Sequence, residues 1–260
     1  MERRSFLVNG VSSALASSAL LGGSVGKSQS WFELRFYHLR NDLERKPLDD
    51  LLQNAYLPLC RNLGLGPIGC FNVVAGKTMP QLVVLTPFSS LGMLDGFSEQ
   101  SASNPSWKKA LEEFSQIKPM VYTRIDSNLL RAFASVPSLE NPGNSKDKDP
   151  RLFELRTYES RSLQASLKKI KMFDDEEIKI FRDTGLNPLF FGQTVIGENL
   201  PSLTYMLAFP NMQAREEAWR KFLAHPDWIQ LRSRPELADS ELVSNISNCF
   251  LRPAAYSEIY

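Results

Sequence analysis

The chain of 260 residues has few of the side chains that most metal sites require. It contains two histidines, His38 and His225, and three cysteines without a Cys-x-x-Cys pair. This inventory is too small for a multi-histidine zinc or iron site or for a zinc ribbon. The cysteines Cys60, Cys70 and Cys249 form an odd set. They are interpreted first as small buried apolar residues and second as one disulfide pair with a leftover thiol.

An excess of charge of one sign is also missing. Lys and Arg total 30 against 29 for Asp and Glu, a formal charge of +1. Phosphate binding normally needs a basic excess or stripe, so we expect no nucleic-acid partner. The content of 43% hydrophobic and 23% charged residues is that of a folded globular protein. It excludes the collagen-like, disordered and disulfide-framework classes, and the length permits one large domain or two small ones.

No apolar run is long enough to span a bilayer, but residues 1–30 have the features of a signal peptide. Arg3-Arg4-Ser5-Phe6-Leu7 precedes a weakly apolar stretch without acidic residues that ends in small residues near Gly26. The paired arginines resemble the twin-arginine export signal of bacteria. The sequence therefore predicts export to the periplasm or the exterior, with no transmembrane span beyond the signal segment. Cleavage after Gly26 and an uncleaved signal both stay open, and the alternative is a basic tail.

The rest of the chain contains an internal repeat with an offset of 121 residues. Phe32-Glu33-Leu34-Arg35-Phe36-Tyr37 recurs as Phe153-Glu154-Leu155-Arg156-Thr157-Tyr158. The same offset pairs Gly64-Leu65 with Gly185-Leu186 and Pro105-x-Trp107 with Pro226-x-Trp228. The register holds without an insertion, which predicts two copies of one unit of about 100 residues. We assign residues 31–131 and 151–260 to the two domains and 132–150, rich in Pro, Asn, Gly, Lys and Asp, to a linker.

Each copy predicts the order β-α-β-β-α-β of a ferredoxin-like unit. The opening strand alternates apolar and polar residues, a helix follows that ends at Gly64 or Gly185, and a hairpin comes next. A second helix is expected to end near Pro105 or Pro226, before the last strand. Gly92, Gly96 and Ser98 predict a less regular second helix in the first copy.

One such unit leaves a sheet face uncovered, and two copies can cover both faces by packing sheet against sheet. The predicted fold is therefore α+β, with two tandem ferredoxin-like domains that form one intramolecular barrel. Alternation places the polar row of each opening strand on one face, and we expect both rows to line a pocket between the sheets. The candidate pocket residues are Glu33, Arg35, Tyr37, Glu154, Arg156 and Tyr158.

These motifs resemble the NIPSNAP family of the dimeric α+β barrel superfamily. The resemblance rests on the Glu-Leu-Arg-x-Tyr opening strand, the Gly-Leu-x-Pro after the first helix and the Pro-x-Trp, and it covers nearly all of residues 31–252 in both copies. It implies the barrel architecture, but no agreed reaction defines the family. Related barrels include cofactor-free monooxygenases, haem proteins and isomerases, and fold does not imply function.

Three functions therefore stay open. The first is small-molecule binding or scaffolding through the pocket between the sheets. In that pocket, Arg35 or Arg156 would bind an anionic or carbonyl group and a Glu or Tyr would move a proton. The second is a cofactor-independent monooxygenase or isomerase, and the third is haem binding. The polar rows have a purely structural alternative too, as buried ion pairs that specify strand pairing. No cofactor is required by the sequence, and a homo-oligomer is possible.

The remaining polar motifs favour structural roles. His38 is expected to face away from Tyr37, toward the helices or the strand end, as a surface or capping residue. His225 matches Asn104 in the repeat, which predicts a turn residue at the end of a helix. The Ser-x-x-Lys motif that ends at Lys169 lacks the companion motifs of penicillin-recognising enzymes and is expected on a solvated helix face.

The export signal is testable by substitution. Because the arginine pair is recognised by a receptor, Arg3→Lys combined with Arg4→Lys is expected to leave the protein in the cytoplasm. Cell fractionation measures this outcome, and normal export of the double variant would contradict it.

Overall fold

Both halves of the chain form the same succession of strands and helices. The structure, a computed structural model, describes residues 28–140 and 151–260, so most of the predicted signal peptide and residues 141–150 of the predicted linker lie outside it. The first half comprises β1 (Trp31–Leu39), α1 (Lys46–Leu51), α2 (Leu57–Asn62), β2 (Gly69–Ala75), β3 (Gln81–Phe88), α3 (Leu91–Ser103), α4 (Pro105–Ser115) and β4 (Tyr122–Ala132). The second comprises β5 (Leu152–Ser160), α5 (Leu163–Met172), α6 (Ile178–Asp183), β6 (Asn187–Ile196), β7 (Ser202–Phe209), α7 (Met212–Ala224), α8 (Pro226–Arg232), α9 (Asp239–Leu242) and β8 (Val243–Pro253).

The eight strands close into one antiparallel barrel in the order β1-β3-β2-β8-β5-β7-β6-β4. Each half contributes four adjacent strands, and the halves join where β2 pairs with β8 and β4 with β6. The register repeats too, since Phe32 pairs with Pro87 and Phe153 with Ala208. The 121-residue repeat is therefore a repeat of strand pairing as well as of sequence.

The helices confirm the predicted positions and correct one boundary. α1 and α2 are continuous through a π-helical turn, and Gly64 follows α2 with φ of +72°, as the predicted left-handed cap requires. The second helix, however, does not end the helical segment at Pro105. Asn104 accepts a hydrogen bond from the Trp107 N–H and starts α4, because proline at the first helical position has no N–H to satisfy. α3 is also regular despite its glycines, since the Ser90 hydroxyl caps its start.

The interior of the barrel is filled by apolar side chains from both halves. The Phe32 and Phe190 rings lie 5.1 Å apart, and those of Phe71 and Phe153 lie 4.9 Å apart. This core comprises Phe32, Leu34, Phe71, Val73, Val83, Leu85, Leu130, Ala132, Phe153, Leu155, Leu189, Phe190, Met206, Ala208, Leu251 and Ile259. Each half adds a second core between its own strands and helices.

The expected facing of the polar rows was wrong. The apolar row of β1 and β5 points into the barrel, and Glu33, Arg35, Tyr37, Glu154, Arg156 and Tyr158 point toward the helices instead. The physical reason is desolvation, because a charged group in a barrel interior lined by apolar side chains would lack hydrogen-bond partners. On the helix side, neighbouring side chains and the protein surface supply those partners.

The segments after the last strands cross to the opposite half. Ala254 N–H donates to the Cys70 carbonyl on β2 (2.8 Å), and Phe133 N–H donates to the Phe191 carbonyl on β6 (3.1 Å). The two bonds are equivalent in the repeat, since Ala254 matches Phe133 and Phe191 matches Cys70 at the offset of 121 residues. Residues 133–140, the start of the predicted linker, thus pack on the second half, where Phe133 and Val136 are buried. Residues 254–260 pack on the first half, so each half is completed by the other's tail.

Two further expectations concern disulfide pairing and membrane-spanning segments. Cys60, Cys70 and Cys249 are free thiols, the first two buried, and burial raises the pKa of Cys60 to about 12. Within residues 28–140 and 151–260, no helix combines the length and apolar character needed to cross a membrane.

The crossing tail predicts a stability effect at the end of the chain. Ile259 is fully buried in the barrel core. Ile259→Ala is expected to lower the free energy of unfolding by about 2–5 kcal/mol, through lost burial and the cavity left behind. Leu43→Ala is the control, since Leu43 is 91% exposed and should change it by less than about 0.5 kcal/mol. Equal free energies of unfolding for Ile259→Ala and Leu43→Ala, measured by urea denaturation, would show that the tail does not contribute to the core.

Candidate functional site

The polar row of the second half lies in a dense hydrogen-bond network. Glu154 is fully buried, and its Oε1 accepts from Arg156 (3.0 Å), Asn248 (3.0 Å) and Arg215 Nη2 (2.7 Å). Its Oε2 accepts from Arg215 Nε and from the Trp219 indole N–H, both at 2.9 Å. Arg215 and Trp219 lie on α7, so this carboxylate joins the sheet to the helix above it.

These donors determine the charge state of Glu154. Burial alone would raise the pKa of the carboxyl, but the hydrogen bonds from Arg215, Asn248 and Trp219, with the charge of Arg156, lower it to about 2. The Arg156 guanidinium loses hydration on burial, yet its neighbours Tyr205, Tyr158 and Glu154 raise its pKa. Both groups are therefore held ionised, which favours a structural ion pair over a proton-transfer role.

The network continues below the row to a second buried charge pair. Tyr158 OH accepts from Arg156 (3.3 Å) and from Tyr205 OH (3.2 Å). Lys169 and Glu177, both at most 2% exposed, pair at 3.3 Å beneath them. The expectation of a solvated helix face at Lys169 was wrong, since its ammonium also lies 5.7 Å from the Tyr158 ring centre. No repeated motif indicates this pair, because Leu48 and Tyr56 occupy the matching positions.

The first half has the same polar row, Glu33, Arg35 and Tyr37, but fewer hydrogen bonds around its carboxylate. Glu33 Oε1 accepts from Arg35 Nε (2.7 Å) and Ser127 Oγ (2.8 Å), while its Oε2 is buried without a hydrogen-bond partner among the described residues. Tyr37 lies edge-on to Tyr122 with ring centres 5.7 Å apart, and burial raises its pKa. The six candidate residues thus form two separate sites on opposite halves, and the structure does not bring them together.

A groove opens on the outer face of the first half, between α1–α2 and α4. Its volume is about 1040 Å³, above the few hundred to 1,000 Å³ or so typical of ligand pockets. Apolar side chains form much of its lining, with polar groups among them. The apolar set comprises Pro47, Leu51, Ala55, Pro58, Leu59, Trp107, Ala110, Phe114 and Ile117, and the polar set comprises Glu44, Lys46, Asp50, Asn54, Asn62, Asn104, Ser106 and Glu113. Sequence reasoning missed this groove, since its residues carry no motif.

The two histidines occupy different surroundings. His38 faces away from Tyr37, as expected, but is buried at the end of β1 instead of lying on the surface. Its Nε2 lies 2.5 Å from Asp126 Oδ2, and Gln81 Nε2 lies 3.0 Å from its Nδ1. His225 Nδ1 accepts from the Asp227 N–H and caps α8. No group of three or more His, Cys, Asp or Glu side chains suited to a metal ion occurs in the part of the chain that the structure describes.

The depressed pKa of Glu154 predicts a pH-dependent contribution to stability. A carboxyl with a pKa of about 2 when folded and an ordinary value of 4.5 stabilises the fold above pH 4.5. The contribution, about 3 kcal/mol, is lost as the pH falls toward 2. Glu154→Gln should therefore be destabilised at pH 6, and its difference from the wild type should shrink by about that amount at pH 2. Urea denaturation across this range measures it.

The matched control is Glu216→Gln, an exposed carboxyl on the same helix α7. This variant should follow the wild type at every pH. A constant stability difference between Glu154→Gln and the wild type from pH 6 to pH 2 would contradict the assigned charge state.

Solved structures of other proteins share this fold. No curated protein matches the chain. A provisionally assigned monooxygenase from Lactobacillus acidophilus NCFM is 12% identical over 86% of this chain and 94% of its own, with a TM-score of 0.58. Another from Fusobacterium nucleatum is 6% identical over 87% and 93%, with a TM-score of 0.55. At these identities the likeness shows the fold alone.

Both halves of the chain match one family model. A NIPSNAP family protein from Agrobacterium tumefaciens is 24% identical over 42% of this chain and 94% of its own, with a TM-score of 0.37. The NIPSNAP family model matches residues 32–137 and again residues 153–258. These two matches cover both halves of the barrel, and the chain therefore belongs to the NIPSNAP family, with two domains of this family in tandem.

Proposed function

We propose that this protein binds a small, largely apolar molecule in the groove between α1–α2 and α4 of the first half. The space between the sheets, where a ligand was expected, is occupied by the aromatic core of the barrel. The groove offers instead an apolar wall around Trp107 and Phe114, with Asn54, Asn62 and Asn104 available to orient a polar end. That combination is typical of small-molecule sites.

The observation that carries the proposal is the contrast with the second half. There, Arg234 forms two hydrogen bonds with Glu176, at 2.5 and 2.8 Å, across the equivalent of the groove. Leu231, on α8, is fully buried. The first half has Glu113, Ala55 and Ala110 at these three positions. Small side chains and the missing ion pair therefore keep the groove open in one copy of the same fold.

The second candidate is a cofactor-independent monooxygenase or isomerase. It is favoured by the contact of His38 with Asp126 at the barrel end, since a histidine held by a carboxylate is a common general base. The similar structures assigned as monooxygenases support the shared fold and not this activity. Scaffolding and haem binding are further proposals, and a Soret band in the absorption spectrum of the purified protein would favour haem.

The proposal includes an exported protein built from two ferredoxin-like units. The strand order β4-β1-β3-β2, with helices on one face, supports the ferredoxin-like assignment. Export to the periplasm or the exterior rests on the arginine pair at Arg3 and Arg4, with a twin-arginine signal peptide.

Binding in the groove is testable with a neutral apolar dye, N-phenyl-1-naphthylamine. The wild type should bind it with enhanced dye fluorescence. A triple variant, Ala55→Glu, Ala110→Leu and Glu113→Arg, introduces the side chains of the second half and should weaken binding by about tenfold or more, because it fills the groove. Ala102→Leu, an exposed change on α3 outside the groove, is the matched control and should bind like the wild type.

Three results would argue against the proposal. Equal dye affinity of the wild type and the triple variant would place binding elsewhere. A wild-type dimer that the triple variant dissociates in sedimentation would make the groove an interface between copies. Chemical conversion of a bound natural ligand, seen by mass spectrometry and lost in His38→Gln, would favour the enzyme instead.

A further inference from the structure

The carboxylate of Glu33 has one buried oxygen without a donor. Glu33 is 9% exposed, and its Oε1 accepts hydrogen bonds from Arg35 and Ser127. Its Oε2 is inaccessible to solvent and has no hydrogen-bond partner among the described residues. A buried charged oxygen left unpaired is costly, and native proteins rarely keep one without a reason.

The second half shows which direction this oxygen faces. Arg156 and Asn248 donate to Oε1 of Glu154, as Arg35 and Ser127 do to Oε1 of Glu33. Oε2 of Glu154 faces α7 and receives the Arg215 and Trp219 donors. By the repeat, Oε2 of Glu33 faces α3.

The donors are missing from the first half because two side chains on α3 differ. Leu94 stands at the position of Arg215, and Ser98 stands at that of Trp219. Ser98 is exposed, and the side chain of Arg35 is 30% exposed where that of Arg156 is 16%. The Trp219 indole covers Arg156 with its centre 4.7 Å from the guanidinium carbon, whereas Arg35 has the Tyr56 ring at 6.0 Å and no ring at the Trp219 position.

The charges differ in the same way. Glu154 lies between two cations, Arg156 and Arg215, whereas Glu33 has Arg35 as its single ion-pair partner among the described residues. The first half therefore lacks one positive charge, the ring at the Trp219 position and three N–H donors, two from Arg215 and one from Trp219, that the second half supplies to the same carboxylate.

We propose that the first half binds a planar aromatic cation, of the arylamidine or aryl-guanidine class, between Arg35 and α3, with its N–H groups on Glu33 Oε2. The ring takes the place of the Trp219 indole and covers the Arg35 guanidinium, and the cationic N–H groups replace Arg215. Charge-assisted hydrogen bonds to a buried carboxylate are the strong ones. This site is separate from the groove and does not depend on it.

The probe is benzamidine, titrated into the purified full chain and followed by two-dimensional NMR. Binding should shift the amide signals of Leu94 and Ser98, and the neutral analogue benzamide should bind more weakly. Glu33→Gln should raise the benzamidine Kd by about tenfold or more, since the neutral amide loses the charge-assisted bonds. Glu154→Gln, the same change in the saturated copy, is the control and should leave the Kd unchanged.

A second variant gives α3 the two side chains that α7 carries at the matching positions. Leu94→Arg combined with Ser98→Trp should raise the Tm and abolish benzamidine binding, because the protein's own side chains then occupy the site. If this variant does not fold, the comparison of Glu33→Gln with the wild type decides the matter. Equal Kd values for those two, or no binding of benzamidine to the wild type, would overturn the proposal and indicate that water satisfies Oε2.

Discussion

Closure of the barrel around one shared aromatic core is the constraint on which the rest of the molecule depends. Each half presents a four-stranded sheet with an uncovered apolar face, and the two faces cover each other. Phe32 contacts Phe190 and Phe71 contacts Phe153, so both halves contribute side chains to the same core. The halves must therefore keep the same strand register, which explains why the repeat offset is maintained throughout the strands although the surface residues have diverged.

The two copies differ in the side chains that pack between their strands and helices, and these differences allow different functions. The helix side of the second half is packed with Trp219, Phe222 and the Lys169–Glu177 pair. The first half has small or apolar residues at several of the same positions. The two copies therefore share the barrel core but differ in how their helices pack on it.

Much of the fold could be predicted from the sequence, because the repeat provides its own control. The alternation in Phe32-Glu33-Leu34-Arg35 identifies a strand with two faces, but alternation alone does not say which face meets the other sheet. Burial decides this, since Arg35 and Arg156 need partners that the barrel interior lacks. The partners of Glu154 are also invisible in sequence, because Arg215 and Trp219 lie about 60 residues away and have no equivalents in the first copy. For the same reason the groove, which exists through small side chains, has no motif.

The exchanged tails have a consequence for the order in which the two halves can fold. The strand β2 belongs to the first half, but its free edge is covered by β8 and by residues 254–260, which all follow the second half's other strands in the chain. Domains usually fold as units while synthesis proceeds, and uncovered strand edges invite wrong pairing. Here the edge of β2 stays uncovered until β8 is present, so the first half cannot complete its strand pairing without the second. We therefore expect the two halves to fold as one cooperative unit.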